Sequence, residues 1–162
     1  MTTYEVIPLK GIGPVFLDMS REQVSSAMGM QPESFKKSFD SSDLADAYYK
    51  GGFQVFYDKG GRVEYIELSS LDSSFIAVYK DRLFFQTKAS DLVDLISKDT
   101  PFDPDDPELG YSYVFPALEL SLWRPVKPES DDDLEGQYFS TIGVGRRGYY
   151  SSGVVRGDVG KS

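Results

Sequence analysis

The sequence predicts an α+β fold in which short helices pack on a mainly antiparallel sheet, arranged as two tandem helix-plus-meander units. Three observations predict it. Aromatic residues are frequent (11 Tyr and 11 Phe), which favours strands and a sheet-based core. Period-two segments are separated by hairpin signals at Gly51-Gly52 and Asp58-Lys59-Gly60-Gly61. Two short segments carry helical spacing over two to three turns, and helices of that length are marginal unless their apolar face packs on something larger.

Taken in order, Tyr4–Leu9 reads as an edge strand, with Pro8 tolerated there. Gly11–Gly29 (GIGPVFLDMSREQVSSAMG) holds an extended run at Val15, Phe16 and Leu17, followed by a helix. Ser20 and Gln23 form a Ser-x-x-Gln capping box. Val24, Ala27 and Met28 share one face, and Gly29 stands where a left-handed C-cap belongs. Gln31–Asp43 is polar and turn-rich, with Phe35 and Phe39 spaced for one helical turn. Leu44–Lys50, Phe53–Asp58 and Arg62–Ser69 read as three strands; the alternation leaves open which face of the third is buried.

The second half follows the same plan. Phe75–Tyr79, a turn at Lys80-Asp81, and Arg82–Gln86 precede a helix over Lys88–Lys98, with Leu92, Leu95 and Ile96 on one face. A shift of 68 residues lays Val15-Phe16 on Leu83-Phe84, and Val24, Ala27 and Met28 on Leu92, Leu95 and Ile96. Tyr111–Phe115, Ala117–Arg124 and Tyr138–Val144 complete a second meander. The expected units are therefore 1–74 and 75–150, with Ser151–Ser162 a disordered tail. A single α+β domain with one mixed sheet is the alternative.

Composition narrows function. The chain has 162 residues, no Cys and no His. Thiol chemistry, disulfides and cysteine metal sites are excluded. So are histidine ligands and the commonest general base. No apolar run approaches the roughly 20 residues of a membrane span, and the N-terminus lacks a signal-peptide pattern. A cytoplasmic protein is expected.

Net charge is −9, which argues against a nucleic-acid partner. Its distribution says more. Asp99–Glu135 carries 11 acidic residues and two basic ones, Arg124 and Lys127, while the rest of the chain is balanced. The acidity lies in two Pro- and Asp-rich loops, Pro101–Leu109 and Pro125–Glu135. Asp103, Asp105, Asp106 and Glu108, then Asp131, Asp132, Asp133 and Glu135, are candidate partner-binding residues, because a local anionic surface steers and docks a cationic one. The bland alternative is a pair of solvated loops. Trp123 joins the candidates as an aromatic anchor. Tyr48, Tyr49, Tyr111, Tyr113, Tyr149 and Tyr150 admit either an anchor or a half-buried sheet role.

Other motifs fail on their own chemistry. Asp103-x-Asp105-Asp106 superficially resembles a calcium loop, but the sixth and twelfth positions are Glu108 and Val114 instead of Gly and Glu. Gly143-x-Gly145 with Arg146-Arg147-Gly148 follows a strand without opening a helix, so it lacks a phosphate cradle. Paired carboxylates of glycosidase type are defined by separation in space, which sequence spacing does not supply. Arg156-Gly157-Asp158 matches an adhesion tripeptide by coincidence. No catalytic residue, metal or cofactor is expected.

Gly13-Pro14, Met19-Ser20, Gln23-Val24, Gly29 and Tyr57-Asp58 carry a resemblance. The strand, Met-Ser helix start and meander resemble small bacterial immunity proteins of contact-dependent and other polymorphic toxin systems. They also resemble the β-lactamase-inhibitor-protein-like fold and the outer-membrane assembly lipoproteins. The lipoprotein branch requires a lipobox cysteine, which this chain lacks. The match covers the first 70 residues and transfers no catalytic residue. It implies a non-enzymatic inhibitor that binds a cognate toxin domain, expected to be a nuclease, and occludes its active site. The alternatives are a cytoplasmic protein-binding or scaffold module, or a carboxylate-dependent enzyme.

Overall fold

Local signals place the elements, and long-range pairing arranges them. The computed structural model describes residues 1–36 and 44–150. Phe39, the expected tail and its Arg-Gly-Asp tripeptide lie outside the described residues. The chain runs β1 (Thr2–Ile7), β2 (Gly11–Ile12), β3 (Val15–Phe16), α1 (Arg21–Met28), β4 (Glu33–Lys36), β5 (Leu44–Tyr48), β6 (Phe53–Tyr57) and β7 (Val63–Ser69). It continues through β8 (Phe75–Tyr79), β9 (Arg82–Leu83), α2 (Ala89–Ser97), β10 (Ser112–Phe115), β11 (Leu120–Trp123) and β12 (Thr141–Gly145).

The capping box forms as expected. Gln23 N–H donates to Ser20 Oγ at 3.2 Å, and Ser20 N–H donates to Gln23 Oε1 at 2.8 Å. Gly29 closes α1 at φ 68°, its N–H returning to the Ser25 carbonyl. Val24 and Met28 are buried, but Ala27 is exposed. An eight-residue helix docks here through one i, i+4 row, and the i+3 position turns off that row. Phe35, expected in a helical turn, lies in β4 opposite Ala45, its ring edge-on to Phe56.

Two sheets result, with strand orders β3-β2-β1-β8-β9 and β10-β11-β12-β7-β6-β5-β4. Among the described residues, the named strands pair antiparallel except β1 with β8. The α+β expectation holds. The first strand is central in its sheet instead of an edge, because β8 pairs with it from Thr2↔Phe75 to Glu5↔Val78. Pro8 falls in the turn beyond its end. Each half does run hairpin, helix, meander, but the halves interleave: β1 pairs with β8 in one sheet and β7 with β12 in the other. One buried cluster spans both, from Tyr4, Val6 and Val24 through Phe53, Ile66 and Leu68 to Leu92, Ile96, Leu122 and Ile142.

The expected strand Tyr138–Val144 begins only at Thr141, and three others are cut short at one end. Each gives way to a 3₁₀ turn, at Tyr49–Gly51, Phe84–Gln86 and Pro116–Leu118. The face of β7 is settled: Ile66 and Leu68 point into the main core, and Tyr65 joins a second cluster with Val114, Tyr149 and Tyr150. Among the described residues, no helix is long and apolar enough to cross a membrane.

Candidate functional site

The two acidic loops meet. β10 and β11 pair antiparallel with Ser112 opposite Trp123, so the loop entering β10 and the loop leaving β11 share one end of the large sheet. Arg124 ties them together. Its N–H donates to the Tyr111 carbonyl at 2.9 Å. Its Nε donates to the Gly110 carbonyl at 2.8 Å and its Nη1 to the Gly136 carbonyl at 2.8 Å. The guanidinium also lies over the Phe139 ring, 5.5 Å from its centroid. Arg124 is buried, and sequence reasoning missed its role, counting it only as one of two basic residues in an acidic region. That isolation was the available signal.

The acidic candidates divide by what they touch. Asp105, Asp131, Asp132 and Glu135 are exposed. Asp103, Glu108 and Asp133 are half-buried. Asp103 accepts the Asp105 N–H at 2.9 Å, which shapes the first loop. Asp133 accepts the N–H groups of Glu129 at 3.1 Å and Glu135 at 3.0 Å, which holds the second. Asp106 corrects the sequence reading: it is buried, accepting the Ser112 hydroxyl at 2.6 Å and the Glu108 N–H at 2.9 Å. A turn that enters a strand under cover must satisfy its amides internally, so this carboxylate serves the loop instead of the surface. Trp123 is half-buried on the sheet face, between Ser112 and Thr141.

Exposed apolar side chains flank the loops: Tyr111, Val126, Leu134 and Tyr138. Of the other aromatic candidates, Tyr48, Tyr149 and Tyr150 are buried, and Tyr49 and Tyr113 half-buried. Beside the second loop lies a half-open cleft of about 590 Å³, whose lining includes Lys88, Asp91 and Asp94 from α2 and its entry, together with Arg124, Asp131 and Gln137.

Asp46 and Arg146, on and beside the large sheet, are bound into the fold. Asp46 accepts from Arg21 Nε at 3.0 Å, Arg21 Nη2 at 2.7 Å, the Ser34 hydroxyl at 2.8 Å and the Tyr57 hydroxyl at 2.9 Å. Burial alone would raise its carboxyl, but these hydrogen bonds outweigh it and leave Asp46 below the ordinary carboxylate range. Arg146, weighed above as a phosphate contact, is paired with Asp18 at 3.1 Å and Asp58 at 2.8 Å. On the outer face of β7, burial pushes the Glu67 carboxyl up to about 7, with a Tyr65 hydrogen bond working the other way. Among the described residues, no group of three or more acidic side chains is placed to hold a metal ion.

No protein-family model, curated protein or solved structure matches the chain, so its function rests on this geometry.

Proposed function

We propose that this chain is a non-catalytic immunity-type inhibitor, acting in the cytoplasm, that binds a basic toxin domain through the end of the sheet where the two acidic loops meet. One observation carries the reading. Arg124 joins the loops, so exposed carboxylates at Asp105, Asp131, Asp132 and Glu135 stand in one region with exposed Tyr111, Val126, Leu134 and Tyr138. Aromatic and aliphatic anchors ringed by charge of one sign are the ingredients of a protein-binding surface. The anchors supply affinity, and the charge supplies steering and choice of partner. A toxin that cleaves nucleic acid is cationic where it holds phosphate, and an anionic, preformed surface covers that region without chemistry of its own.

The test is co-expression with the product of the adjacent gene. Recovery of a stable complex, and rescue of cells from that product, are the expected results. A product that neither binds nor harms cells overturns the proposal and leaves a scaffold role.

A further inference from the structure

The loop at 129–137 turns one large apolar side chain outward on a framework of internal hydrogen bonds. Leu134 is 86% exposed, the most of any large apolar side chain among the described residues. A lone exposed leucine means little by itself; the framework around this one sets it apart. Asp133 accepts the Glu129 N–H at 3.1 Å and the Glu135 N–H at 3.0 Å, so one carboxylate ties the chain on both sides of Leu134. The Asp133 N–H returns to the Ser130 carbonyl at 3.1 Å. Gln137 Nε2 donates to the Asp131 carbonyl at 3.2 Å and to the Asp133 carbonyl at 2.6 Å. The base is fixed as well. Arg124 Nη1 donates to the Gly136 carbonyl at 2.8 Å, and the Ala89 N–H donates to the Gln137 carbonyl at 2.8 Å. Gly136 takes φ 74°, and a Cβ built there would lie 2.1 Å from the Val126 carbonyl oxygen, so only glycine lets the two limbs close.

Ordering a loop costs conformational entropy. Here the ordering leaves the leucine in water instead of burying it. A partner that meets this loop finds it already fixed, so that cost does not fall on binding. An apolar tip on a preorganised loop has the form of an anchor that fills a pocket. Its surroundings define the rim of that pocket: Asp131, Asp132 and Glu135 are exposed around Leu134, and Val126 is exposed on the limb that closes against Gly136.

We propose that the loop at 129–137 is a preformed knob that seats Leu134 in an apolar socket on the partner protein, with lysine or arginine side chains at the socket's rim opposite Asp131, Asp132 and Glu135. The assignment rests on the toxin-binding reading and narrows it from a charged surface to a plug. A flat cationic surface without a socket would leave Leu134 in water, so the partner carries an apolar depression inside its basic region.

The experiment measures binding of the adjacent gene's product to the full chain and to its Leu134→Ala and Leu134→Asp variants, by surface plasmon resonance across a salt series. Both variants are expected to melt with the parent, because the side chain stands in solvent. Leu134→Ala should speed dissociation about tenfold or more, with association and its salt dependence changed less than about twofold. Leu134→Asp should speed dissociation about a hundredfold. Neutralising the carboxylates acts on association instead, so the two contributions separate. Amide exchange in the free chain is the second arm: the Glu129, Asp133 and Glu135 N–H groups should exchange about tenfold slower than in an unfolded chain, or slower still. A product that binds the parent and both variants alike overturns the anchor and leaves the surface reading standing. A product that does not bind the parent overturns both. Loop amides that exchange at unfolded-chain rates overturn the preformed knob. Sedimentation of the free chain is expected to show a monomer; a dimer that Leu134→Asp dissolves would assign the knob to a second copy of this chain and overturn the proposal.

Discussion

Gly143 shows how much one position decides. A Cβ built there would lie 1.7 Å from the Tyr65 hydroxyl, so only glycine lets that ring lie across β12. Tyr65 in turn stacks on Tyr149, with centroids 4.7 Å apart and planes at 9°. Gly143→Ala should therefore unseat the tyrosine cluster and cost about 1–3 kcal/mol in chemical denaturation, and an unchanged midpoint would refute the account. The neighbouring Glu67 makes a pH prediction. Its folded value is about 7 against an ordinary 4.5, so the acid is neutral in both states at low pH. As pH rises from about 4.5 through 7, the unfolded chain releases the proton first and stability falls. The full penalty applies above 7 and is at most about 3 kcal/mol, less for whatever solvent reaches the carboxylate. Glu67→Gln should be more stable than the parent at alkaline pH and equal to it below the ordinary carboxylate range. Thermal melts across that window decide, and parallel pH profiles would exclude the assignment. Neither effect was legible in the sequence, where Gly143 read as part of a Gly-x-Gly motif that fails as a phosphate cradle and Glu67 as one member of an undecided alternation.

Among the elements, α1 was legible almost to the residue because its signals are local. Ser20, Gln23 and Gly29 act within two turns of one another. Ser20→Ala should cost about 1 kcal/mol and Ser20→Asp much less; equal losses would mean that the cap is incidental. The strands were located well and bounded poorly. Alternation carries Leu44–Lys50 as one strand, but Tyr49 and Lys50 take positive φ of 52° and 56° and end it. The turn sets the Tyr49 ring 4.9 Å from Phe75 and its hydroxyl 2.6 Å from that of Tyr4, residues that belong to the other sheet. No period within the segment encodes contacts so distant in sequence. The same holds for Ala27, since which row of a short helix docks depends on the surface it meets.

Over the whole molecule, the charge asymmetry seen in the composition becomes a place. Topology brings both acidic loops to one end of the β10–β11 pair, and Arg124 holds them there. If that surface steers a basic partner, then Asp105→Asn, Asp131→Asn and Asp132→Asn together should slow association about tenfold or more at low salt. They should also flatten its salt dependence and leave dissociation nearly unchanged. Asp133 and Asp106 are spared because they hold the loops. Stopped-flow mixing across a salt series provides the measurement, and rates indifferent to the three substitutions would reduce the loops to solvated surface.

By itself the sequence determined the α+β class, the two helices, the main hairpins and the region where negative charge collects. Each of these is written in residues close together, as a cap, a turn, a period or a local composition. Only the tertiary structure decided that the two halves interleave through β1 with β8 and β7 with β12, that Asp106 turns inward, and that Arg124 clamps the loops beside a cleft. Those outcomes depend on which surfaces meet after long loops close, and complementarity between distant segments leaves no mark within either one.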